Sequence, residues 1–126
     1  MKSYTDLEQS RKLAEIVPIE SADMFYVAGK GEPVFIGNKM VAYGEDDYDC
    51  LGEPDVLCWS FAALLNVMPK EIVYKENIVF LEFHIWDTSL EYANAGGYTL
   101  CETERFDNLI DACVNMIERL HELNLL

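Results

Sequence analysis

The sequence predicts an α+β domain in which an N-terminal, a central and a C-terminal helix pack on a mainly antiparallel sheet. Two observations carry this expectation. Apolar residues recur at helical spacing near both ends and in the middle of the chain, and between those segments they alternate or cluster as β-formers. Most strand-like runs are joined by turns too short for the crossover that parallel pairing needs. No internal repeat, low-complexity tract or long linker interrupts the pattern, and 126 residues suit a single domain spanning 1–126.

The first helix is expected from Thr5 to Val17. Thr5-Asp6-Leu7-Glu8 has the form of a capping box, in which the two side chains satisfy backbone N–H groups at a helix start, and Pro18 stops the helix. Ala22 to Ala28, built around Phe25-Tyr26-Val27 and closed by Gly29-Lys30-Gly31, reads as a strand. Pro33-Val34-Phe35-Ile36 and Lys39-Met40-Val41-Ala42-Tyr43, divided by Gly37-Asn38, read as a tight hairpin. Glu53-Pro54-Asp55 suits the first turn of a second helix running from Val56 to Met68, apolar nearly all round and ended by Pro69. Ile78 to Trp86 is the clearest strand: Val79, Leu81, Phe83 and Ile85 fall on one face, Phe80, Glu82, His84 and Trp86 on the other. Leu90 to Ala93 and Tyr98 to Thr103 follow as strands around the turn Asn94-Ala95-Gly96-Gly97. Asp107-Asn108 caps a last helix reaching about Leu123, apolar on one side only.

Composition excludes several classes. The 23 Asp and Glu against 9 Lys and Arg give a net charge of −14, and the basic residues are scattered singly except for Arg11-Lys12. Contact with nucleic-acid phosphates needs clustered cations, so no nucleic-acid partner is expected. The longest uncharged stretch, from Val56 to Pro69, is shorter than the ~20 apolar residues of a membrane span, so no membrane partner is expected either. Before Pro18 there is no apolar run of the kind a secretory signal needs, which predicts a cytoplasmic protein. Cys50, Cys58, Cys101 and Cys113 have no zinc-site or CxxC spacing and read as free thiols.

Three features are candidates for function. The acidic loop at about 44–55 gathers Glu45, Asp46, Asp47, Asp49, Glu53 and Asp55 with no basic residue between Lys39 and Lys70. Self-repulsion predicts a solvated loop, and its spacing is not that of an EF-hand, so no metal is assigned. His84 and His121 have structural explanations, on a strand and in the last turn of a helix, and no phosphate loop or nucleophile elbow occurs. No catalytic residue and no cofactor are assigned, and the chain is not expected to be an enzyme. The third feature is aromatic: Trp59, Phe80, His84 and Trp86 form a candidate interaction patch unless a second layer covers that face of the sheet.

Three segments carry a resemblance. They are Tyr4-Thr5-Asp6-Leu7-Glu8-Gln9-Ser10 through Lys12-Leu13-Ala14-Glu15 to Glu20-Ser21-Ala22-Asp23-Met24, then Cys58-Trp59-Ser60-Phe61-Ala62-Ala63-Leu64-Leu65 with Met68-Pro69, and Asp107-Asn108 with Asp111-Ala112-Cys113-Val114 and Met116-Ile117. Together they resemble a group of small uncharacterised proteins of gut bacteroidete genomes, often in phage-like or mobile regions. The group has no assigned activity, so the resemblance implies only context, a bacterial cytoplasm and a mobile-element origin, and no site residue. The functional expectation is a non-enzymatic domain that binds a protein partner or forms a homo-oligomer. Two alternatives stand beside it: a small-ligand binder or enzyme with a pocket between the central helix and the sheet, using Tyr, Glu82 or His84, and an acidic nucleic-acid mimic that inhibits a DNA-binding protein.

Overall fold

The computed structural model describes residues 2–38 and 55–126. The expected α+β class holds: helices pack on antiparallel strands, which divide between two sheets. In chain order the elements are α1 (Leu7–Ile16), β1 (Met24–Tyr26), β2 (Val34–Phe35), β3 (Val56–Cys58), α2 (Phe61–Val67), β4 (Glu71–Tyr74), β5 (Asn77–His84), β6 (Ser89–Ala93), β7 (Thr99–Glu102) and α3 (Leu109–Glu122). The smaller sheet has the order β2-β1-β3 and the larger β4-β5-β6-β7. No helix among the described residues is long and apolar enough to cross a membrane.

The capping box of α1 forms one residue later than its sequence signature. Gln9 N–H donates to the Asp6 carboxylate at 2.8 Å, and Asp6 N–H donates to the Gln9 side chain at 3.1 Å. Thr5 is unavailable as a cap because the core uses it. Its hydroxyl accepts the Trp59 backbone N–H at 3.1 Å and lies 2.7 Å from the Ser10 hydroxyl, while its carbonyl accepts the Tyr26 hydroxyl at 2.7 Å. One fully buried threonine thus joins α1, the smaller sheet and the approach to α2. A buried polar group of this kind is tolerated only when its partners are supplied.

The central helix is shorter than its apolar run. Val56, Leu57 and Cys58 pair with Tyr26, Phe25 and Met24, so cross-strand pairing wins over helical periodicity in this segment. Ser60, not Asp55, caps α2, accepting Ala63 N–H at 3.3 Å. Asp55 instead accepts the N–H of Ala28, whose φ of 53° lies in the left-handed region. The hairpin expected around Gly37-Asn38 has only its first arm and turn among the described residues. Val34 and Phe35 pair back onto β1, and Ile36–Asn38 is a single 3₁₀ turn. Its second arm, Lys39–Tyr43, lies outside the described residues, as do Cys50 and Glu45, Asp46, Asp47, Asp49 and Glu53 of the acidic loop.

Strand β4 was not expected. It meets β5 through Lys75-Glu76, both with positive φ (47° and 71°), the backbone of a two-residue hairpin turn without the usual Asn or Gly. The β6–β7 turn has the expected chemistry: the Asn94 side chain accepts the N–H groups of Gly96 and Tyr98, and Gly97 takes φ of 92°. Helix α3 buries Ile110, Cys113, Met116, Ile117 and Leu120 against the inward face of the larger sheet, α1 and α2. Val79, Leu90 and Tyr92 supply the sheet side of this core, and each such side chain contributes roughly 1.5–3 kcal/mol by burial.

Candidate functional site

The four aromatic and histidine candidates do not come together. Trp59 is fully buried, with its indole N–H donating to the Ser21 hydroxyl at 2.9 Å, so it belongs to the core and not to a patch. Phe80 and His84 lie on the outward face of β5, each partly exposed among the described residues. Trp86 lies beyond the end of β5, in the turn 85–88, and is 100% exposed.

The turn around Trp86 borders an apolar groove of about 750 Å³. Its apolar wall comes from Phe61 and Leu65 of α2, Phe83 of β5, Ile85 of the turn, and Leu109 and Ile110 at the start of α3. The alternation along β5 explains its origin. The inward positions Val79, Phe83 and Ile85 are 0%, 41% and 85% exposed, so the strand carries its core-facing pattern past the point where the helices cover it. Phe61 meets Phe83 edge to face with ring centroids 6.5 Å apart, closing one side of the groove. The turn is anchored through its polar side: the Ser89 hydroxyl donates to Asp87 at 2.7 Å, Arg105 lies 3.6 Å from Asp87, and Phe106 N–H donates to the Thr88 carbonyl. Ile85 and Trp86 are left as its apolar tip.

The polar side chains in the groove wall are Lys2, Ser3, Thr88, Asp107 and Asn108. Glu82 and His84 are absent from it, because they sit on the opposite face of β5. Lys2 and Asn108 are committed elsewhere. Asp111 accepts from Lys2 at 2.7 Å, Gln9 at 2.8 Å and Asn108 at 3.0 Å, and Lys2 also reaches Asp6 at 3.1 Å. Burial pushes the Asp111 carboxyl up, but hydrogen bonds from Lys2, Gln9 and Asn108 outweigh it and hold the group below the usual carboxylate range. Burial likewise works against the Lys2 ammonium, and its bonds to Asp111 and Asp6 raise it above the ordinary lysine value. The network ties the N-terminal segment to α1 and α3 beside the groove.

Cys58, Cys101 and Cys113 are free, as expected. Burial raises all three thiols, Cys113 to about 12, so each is a protonated core group at neutral pH and a poor nucleophile. On the outward sheet face, His84 Nε2 lies 2.8 Å from a Glu91 carboxylate oxygen, with Glu82 alongside. Sequence periodicity placed Glu82 and His84 on one face; Glu91 escaped it because it arrives through the β5–β6 register. No family model, curated protein or solved structure matches the chain. Its class therefore rests on the fold, an α+β domain of helices packed on antiparallel sheets with an apolar groove at one end of the larger sheet.

Proposed function

We propose that the protein is a non-enzymatic binding domain that self-associates, the Ile85-Trp86 tip of one copy entering the groove of another. The carrying observation is that a fully exposed tryptophan sits in the same turn as Ile85 and Thr88, which line an apolar groove. A two-fold axis between them lets each copy give its tip and receive its partner's, the self-complementary arrangement of a symmetric dimer. Tryptophan is among the residues enriched at the energetic hot spots of protein interfaces. Chemistry in the groove is disfavoured because its wall is dominated by apolar side chains and two of its polar groups are held in the Asp111 network.

Charge gives this reading its own signature. Two copies each carrying −14 repel one another, and salt screens that repulsion. Self-association is therefore expected to strengthen as salt rises, whereas binding to a basic partner would weaken. Sedimentation equilibrium at low and high salt tests it. A dimer that tightens with salt and loosens about 30-fold or more in Trp86→Ala is expected, since truncating a central anchor costs about 2 kcal/mol or more. A monomer at every concentration and salt level would refute it.

A further inference from the structure

We infer that the outward face of the larger sheet carries a site for a first-row divalent transition metal, formed by Glu82, His84 and Glu91. This site is independent of the groove, which opens on the other side of β5. The three residues reach one point through sheet geometry alone. Glu82 and Glu91 are direct cross-strand partners, and His84 follows Glu82 by two residues on the same face of β5. One donor atom from each lies within 4.8 Å of the others, and His84 Nε2 is 2.8 Å from Glu91 Oε1. Adjacent donors around an ion bound at about 2.1 Å are separated by about 3 Å, so the pair already stands at ligand spacing. Both strands are hydrogen-bonded within the sheet, which holds the donors in place without a loop rearrangement.

The surroundings favour a cation. Glu82, Glu91 and Glu102 face one another in register across β5, β6 and β7, and like charges directly opposite destabilise a sheet. No lysine or arginine occurs within β4, β5, β6 or β7 to offset them. An imidazole nitrogen among the donors sets the group apart from an acidic surface cluster. One nitrogen and two carboxylates suit cobalt, nickel, zinc or manganese, whereas calcium and magnesium prefer oxygen alone. Three protein donors leave the remaining positions of the ion to water.

Cobalt(II) titration of the full chain tests the site, with visible absorption and equilibrium dialysis as readouts. The expected result is one ion per chain with a spectrum lacking a thiolate charge-transfer band, and at least tenfold weaker binding in both His84→Ala and Glu91→Gln. Glu71→Gln, on the same sheet face but outside the donor set, is expected to bind as the wild type does. Should His84→Ala fold poorly, Glu82→Gln is expected to show the same loss. Absence of stoichiometric binding, equal effects of Glu71→Gln and the donor variants, a thiolate band, or calcium binding as tight as cobalt would each overturn the assignment.

Discussion

The two tryptophans occupy opposite extremes of one molecule. Around Trp59 every feature is closed: its backbone N–H goes to Thr5, its indole N–H to Ser21, and its ring is fully buried in the main core. Around Trp86 only the polar side of the turn is tied down, and the apolar tip stands in solvent beside a groove of its own kind. A buried aromatic with all its donors satisfied contributes to folding. An exposed one beside an uncovered core edge contributes little to folding and is available for an interface.

This contrast can be broken by mutation, starting at the core. Trp59→Ala is expected to cost about 3–5 kcal/mol of stability through the lost contacts and the cavity left behind. Urea unfolding at low protein concentration measures it, and a cost below about 1 kcal/mol would contradict the assigned burial. Thr5→Val keeps the shape of the hub but removes the hydroxyl that accepts Trp59 N–H and bonds Ser10, leaving buried partners unsatisfied. A loss of about 1–3 kcal/mol is expected in the same measurement.

The Asp111 network gives a smaller and pH-dependent effect. Its carboxyl is held below its ordinary value in the folded chain, so its contribution is present above the unfolded carboxylate pKa and is lost as pH falls through the folded value. Asp111→Asn is expected to cost about 1–2 kcal/mol near neutral pH, with the difference from wild type shrinking as pH falls below about 4. A difference that stays constant from pH 7 to pH 3 would show that the charge of Asp111 is irrelevant. The smallest effect belongs to the exposed tryptophan. Trp86→Ala is expected to change monomer stability by less than about 0.5 kcal/mol in urea unfolding, as surface substitutions do.

The same contrast shows how far the sequence could be read. The α+β class, the strand from Ile78 and the last helix were legible because burial on one side imposes a period of two or of 3.6. The fates of the tryptophans were not, because alternation gives a face and not what covers it. Trp59 is in the core because Val56–Cys58 pair with β1 instead of continuing the helix, a long-range contact that helical periodicity does not encode. Strand β4 was hidden because Lys75-Glu76 makes its turn without glycine or asparagine. The groove was legible only as a general position between the central helix and the sheet. Its lining depends on where α2 ends, and that is set by tertiary contacts.

Tryptophan emission as a function of protein concentration tests the central claim most directly. Trp59 is already buried, so a change reports the surroundings of Trp86. At fixed high salt, emission is predicted to move to shorter wavelength as concentration rises, and to stay fixed in Trp86→Ala. A solvent-exposed Trp86 signal that persists from the lowest to the highest concentration would contradict the account.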